Sequence, residues 1–114
     1  MPIQTVTMRN ALVDAYKAQA THMAVYSTVP GASAGTPISG GSPAYANRAS
    51  NWGATATSAA TAAPSAFDIP SGATAAGIGF LNGIAGTYLD GAAVTSQTFS
   101  SQGTLTVTAT YTQQ

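Results

Sequence analysis

One histidine, three aspartates and eleven serines are most of what this 114-residue chain could use for hydrolysis or metal binding. A Ser-His-Asp arrangement would have to use His22 as its base, because no second imidazole exists. No serine sits in a G-x-S-x-G elbow, and Gly40-Gly41-Ser42-Pro43 places proline where the following N–H would serve an oxyanion hole. His22 instead reads as a residue at a helix–strand junction. Acid–base work by paired carboxylates would need two of Asp14, Asp68 and Asp90 together. Asp14 reads as a helix-surface residue, and Asp90 as a turn residue ahead of Gly91. Asp68 lies between Phe67 and Ile69, so strand alternation turns it away from their face. Metal ligation is weaker still: there is no cysteine and no i, i+4 pair of ligands. Gly77-Ile78-Gly79 lacks the third glycine and the following helix of a phosphate cradle, and marks close packing instead. The expectation is a chain with no catalytic, cofactor or metal residues, and not an enzyme.

Binding is better served. Tyr45, Arg48 and Trp52 fall in one short stretch beside a long Pro/Gly loop, and these residue types carry much contact area with a polar handle. They are the candidate interface residues. Tyr45 and Trp52 are seven apart, which places them on opposite faces of an unbroken strand. The competing assignment for Trp52 is the largest plug of a core short of bulk.

The elements that must position these residues come from a chain with little charge. Arg9, Lys17 and Arg48 balance Asp14, Asp68 and Asp90, while alanine, threonine, glycine and serine make up 64 residues. Three cations cannot neutralise a phosphate backbone, so nucleic acid is excluded as a partner. A basic membrane-surface helix is excluded for the same reason. The least polar window, Ala75 to Ala85, is far shorter than the ~20 residues needed to span a bilayer. Met1-Pro2-Ile3-Gln4 has no basic region ahead of an apolar run, so no signal peptide is expected. Large apolar residues number only 27, which predicts one thin domain over 1–114, stabilised further by neighbours.

Met8, Ala11, Leu12, Ala15 and Tyr16 follow the i, i+3, i+4, i+7, i+8 pattern of an apolar helical stripe. The sequence therefore predicts one N-terminal amphipathic helix over about 7–20, with Thr7 as N-cap. Arg9, Asn10, Asp14 and Lys17 fall off that stripe, on a face expected to be solvated. A β-sandwich is expected over about 22–112. Its strands are His22 to Thr28, Ala44 to Ala54, Ala66 to Ile69, Ala75 to Leu81 and Thr87-Tyr88-Leu89. Pro30 to Pro43 reads as an extended loop, and Thr55 to Ser65 as a flexible loop or an edge without an anchor. Pro70-Ser71-Gly72 is a turn, and Asn82-Gly83 and Asp90-Gly91 are hairpin signals. In the last strand Leu105, Val107, Ala109 and Tyr111 alternate with Thr104 to Thr112, one face apolar and the other a ladder of threonines. The fold class is mainly β: an antiparallel β-sandwich of about seven short strands after one helix.

Several runs of this sequence resemble a known family. They are Gly40-Gly41-Ser42-Pro43-Ala44-Tyr45-Ala46 with Trp52-Gly53, then Phe67-Asp68-Ile69-Pro70-Ser71-Gly72, and the closing Gln97-Thr98-Phe99 with Gly103-Thr104-Leu105-Thr106-Val107. Together they resemble the small virion proteins of actinobacterial tailed phages, commonly labelled tail-fibre or minor tail proteins. The resemblance spans essentially the whole chain. Departures are Asn47 ahead of Arg48, where the family places a basic residue directly, and Phe80-Leu81 in place of Leu-Trp. The resemblance implies a non-catalytic structural protein, assembled in the host cytoplasm and displayed in multiple copies on the virion surface. It would be a minor tail or tail-fibre component, or a capsid decoration protein. The implied partners are capsid or tail subunits and copies of itself. The alternative is a host-surface carbohydrate-binding module stacking sugars on Tyr45, Tyr88 or Trp52.

Overall fold

Fourteen residues, Val6–Gln19, form the helix α1 of this computed structural model, which describes residues 3–113. The cap is Thr5 rather than Thr7. Its backbone is extended (φ −105°), and its hydroxyl accepts the Met8 N–H at 3.2 Å. Starting one residue before Thr7 also lets the Arg9 N–H reach Thr5 O at 3.1 Å. Thr7 could not serve, because it already lies within the first turn.

The buried face of α1 is not the expected apolar stripe. Val13 is fully buried, Arg9, Asn10, Tyr16 and Lys17 are partly so, and Met8, Ala11, Leu12 and Ala15 face outward. The reason lies in what the helix packs against. Segment 53–58 presents backbone groups and hydroxyls, and these select polar partners. Asn10 Oδ1 accepts the Ser58 N–H at 2.8 Å, and Arg9 Nε donates to Ser58 Oγ at 2.7 Å. Lys17 Nζ donates to Gly53 O at 2.9 Å, and Thr55 Oγ1 donates to Asp14 Oδ1. Asp14 and Lys17, three residues apart on the helix, pair at 3.6 Å. The charged face is thus the docked face, and segment 55–65 is anchored by it.

Eight strands follow: β1 (His22–Tyr26), β2 (Arg48–Ala49), β3 (Ala59–Thr61), β4 (Ser65–Ile69), β5 (Thr74–Asn82), β6 (Thr87–Thr98), β7 (Gly103–Val107) and β8 (Thr110–Thr112). They form a four-stranded antiparallel sheet in the order β2-β1-β5-β6 and two antiparallel pairs, β4-β7 and β3-β8. The expected single C-terminal strand is broken at Thr108-Ala109. Its partner is interrupted by Pro64, which has no N–H to give. A bond from the Ala62 N–H to Ala109 O (2.8 Å) carries the pairing across the break, so the two pairs read as one long ribbon. The alternation holds: Val107 and Ala109 are buried, Leu105 and Tyr111 half-buried, and all five threonines exposed.

Two other expectations change. Asp90-Gly91 is no turn, because β6 runs through it opposite Phe80 and Gly79. A register shift between Phe80 and Leu81, with Leu89 as the extra residue, absorbs the glycine's irregularity within the strand. The turn is Gly83 to Gly86, with the Gly86 N–H donating to Gly83 O at 3.1 Å and Gly83 at φ +112°, while Asn82 ends β5 opposite Thr87. Ala44 to Ala54 is not one strand but a corner. Arg48–Ala49 pairs with β1, and then Asn51 to Gly53 pairs with 61–63 in the other layer (Gly53 N–H to Thr61 O, 2.9 Å; Ala63 N–H to Asn51 O, 3.0 Å). A strand that switches sheets closes one side of the sandwich. No such strand joins β6 to β7, so the opposite side stays open. The body is 47 × 23 × 23 Å.

Between the layers Met23, Val25, Ile78 and Phe80 of the sheet meet Phe67, Ile69 and Val107 of the ribbon. On the outer face Ala24, Tyr26, Leu81 and Tyr88 form a smaller cluster. Gly77 and Gly79 make room for it. A Cβ at Gly79 would lie 2.4 Å from the Tyr26 ring, and one at Gly77 would lie 2.3 Å from Pro30 Cδ. Close packing, not phosphate binding, is therefore the work of this Gly-x-Gly. We expect Gly79→Ala to cost about 1–3 kcal/mol through overpacking against the buried Tyr26 ring, read as a lower denaturant midpoint.

Candidate functional site

The residues that could have done chemistry are each occupied separately. His22 Nδ1 lies 3.0 Å from Thr21 Oγ1 at the start of β1. Asp14 is held by Thr55 and Lys17, Asp68 by Arg48 at 3.2 Å, and Asp90 by the Tyr16 hydroxyl at 2.8 Å. Among the described residues no three of His, Cys, Asp and Glu gather as a metal site would require. No helix is long and apolar enough to cross a membrane.

Tyr45, Arg48 and Trp52 do not share one patch. Tyr45 stacks on Phe67 (6.2 Å, 16°), accepts the Val25 N–H at 2.7 Å and donates to Asn47 Oδ1 at 2.8 Å. Trp52 stacks on Phe80 (5.5 Å, 27°) and donates its indole N–H to Ala20 O at 2.8 Å. Both rings spend their polar handles inside the protein. Arg48 is exposed, and it bridges the closed side of the sandwich by donating to Ala66 O at 3.2 Å and pairing with Asp68.

Burial pushes the Tyr45 phenol up to about 12, an effect partly offset by the bond from the Val25 N–H. The Tyr16 phenol is also raised well above its ordinary value, first by burial and then by its bond to the Asp90 carboxylate. A phenol whose ionisation is held up by folding stabilises the folded chain fully below its ordinary value of about 10. That contribution disappears as pH rises through the folded value. Stability should therefore fall between pH about 10 and about 12. Denaturant midpoints measured across that range should show a shallower fall in Tyr45→Phe.

The face that sequence reasoning missed is the outward side of α1. Leu12 (37% exposed), Met8 (52%) and Val6 (45%) lie open, as does Leu89 of β6 (41%). A groove of about 400 Å³ runs between the helix and the strands, bordered by Leu12, Ala15, Leu89 and Tyr111. At its base Tyr16 stacks on Tyr111 (3.7 Å, 11°) and holds Asp90. The stripe was legible as a helical period. Period alone cannot say which face meets the sheet. All six charged side chains have partners within the chain: Arg9, Lys17, Arg48 and the three aspartates. The outer surface thus carries few charges and, at Val6, Met8, Leu12 and Leu89, open apolar side chains. Comparison with protein-family models, curated proteins and solved structures finds no match.

Proposed function

We propose that this chain is a non-catalytic structural protein of a tailed-phage virion, present in multiple copies on the particle surface as a capsid decoration or minor tail component. The observation that carries the proposal is the surface itself. The six charged side chains are few and each has a partner within the chain, while Val6, Met8, Leu12 and Leu89 stand open. Such a surface can lie against a neighbouring subunit with little charge to desolvate, and burial by that neighbour adds stability to a thin domain. The resemblance of the Gly-Gly-Ser-Pro-Ala-Tyr-Ala and Phe-Asp-Ile-Pro-Ser-Gly runs supplies the virion context. Quantitative mass analysis of purified particles tests it. Many copies per particle support a place on the head, and a handful support the tail. Absence from particles overturns the proposal.

A second reading, glycan binding, is favoured by one feature. Tyr26, Tyr45, Tyr88 and Asn47 line a cavity of about 220 Å³, which unites two of the three rings named for sugar stacking and leaves Trp52 apart. A glycan array probed with assembled protein should give saturable signals if this reading holds, and none if it fails.

A further inference from the structure

We propose that the open side of the sandwich is a strand-accepting seam, filled by an extended, uncharged segment of a partner polypeptide. The seam belongs to the fold, so the inference stands whether or not the chain is a virion component. Among the described residues β6 pairs only with β5, and β7 only with β4, so each keeps a free edge. A groove of about 330 Å³ lies between them, bordered by Val94, Thr95 and Gln97 of β6 and by the run Leu105 to Thr108. Strand side chains alternate between faces. A wall of consecutive residues is therefore a strand's edge, with its backbone N–H and C=O groups turned to the groove. β6 also slips out of register with β5 here: Ala93 pairs with Gly77 and Gln97 with Ala75, so Val94 to Ser96 stand against Ala76 alone and bulge the ladder beside the groove.

The occupant follows from these two edges. A helix satisfies its own N–H and C=O groups, whereas an extended chain offers them on both sides at once. Val94, Leu105 and Val107 pack onto the core and give the seam an apolar floor, while threonines form its rim. No charged residue occurs in 92–98 or 103–112, so a Lys or Asp of the occupant would find no counter-ion there. The segment that fits alternates small apolar and uncharged polar residues. We assign it to another polypeptide, since Ile3 and Gln113, the first and last described residues, are held by bonds from Arg9 to Ile3 O and from the Gln113 N–H to Ser58 O at 2.9 Å and do not lie in the groove. Tyr16, held between Tyr111 and Asp90, stops the seam at its other end. The occupied length is thus set from the Thr98 end inward.

The probe is a synthetic peptide of about eight residues alternating valine and threonine, a length of roughly 26 Å, with lysines at its ends for solubility. Amide hydrogen exchange of the full chain is followed by NMR as the peptide is added. The expected result is a saturable slowing, on the order of tenfold or more, at Val94 to Thr98 and at Leu105 to Thr108 together. The same peptide N-methylated at alternate residues should lose the effect along one edge. Slowing at neither edge, at β6 or β7 alone with the unmodified peptide, or equal slowing with the N-methylated peptide would overturn the seam.

Discussion

Trp52→Ala is expected to destabilise the isolated chain by about 3–5 kcal/mol, enough to unfold a thin domain near physiological temperature. The indole stacks on Phe80, meets Tyr16 edge-on at 6.0 Å and donates to the Ala20 carbonyl, which lies just past the end of α1. Its removal opens a cavity between the sheet and the helix. It also leaves Ala20 O without its side-chain donor. Trp52→Phe keeps an aromatic ring but not the N–H, and should recover all but about 1 kcal/mol of what the bond and fit supply. Denaturant unfolding, followed by near-ultraviolet circular dichroism, checks both. A residue serving only a partner would leave the isolated chain's midpoint unchanged, so a neutral Trp52→Ala would contradict this role.

Phe67→Ala should be equally costly, at about 3–5 kcal/mol, for a different reason. Phe67 has no exposed surface, lies on β4 opposite Leu105 and carries the stacked Tyr45 ring. Its loss removes the largest fully buried side chain of the protein's described residues. The ribbon has only two strands along much of its length, so neighbouring strands give it little other support. Phe67→Leu should cost less than half as much, because the volume is partly kept. Thermal unfolding of the two variants should separate them, and equal midpoints would show that the layers are not held through this ring.

Much of the sheet framework was legible because each element carried its own signal. The alternation of Leu105 to Tyr111 with threonines gave the right faces, and Asn82-Gly83 marked the right turn. The amphipathic period of α1 identified a helix. It failed to identify the docked side, since the polar groups of segment 53–58 recruit Arg9, Asn10, Asp14 and Lys17. That segment was illegible for a related reason. Its two-residue turn places Thr57 and Ser58 at φ +50° and +68°, where Asn-Gly would be the recognisable choice. The turn is instead fastened from outside, through Ser58 to Asn10 and Arg9. Composition pointed at Tyr45, Arg48 and Trp52 as an interface. It could not show that both rings spend their polar atoms on backbone and neighbours within the fold, because those partners lie 20 and 32 residues away in sequence. The open seam needs the pairing of four strands to be known at once, and no local pattern encodes that.

The proposed role requires this chain to lie against other subunits of a particle. An averaged electron-microscopy image of purified virions tests it most directly. The expected image shows repeated surface densities matching a body of 47 × 23 × 23 Å, each seated on capsid or tail through the side that carries the open apolar residues of α1, Leu89 and the seam. Particles that carry the protein with that side turned wholly to solvent would overturn the proposed role, as would particles that lack the protein altogether.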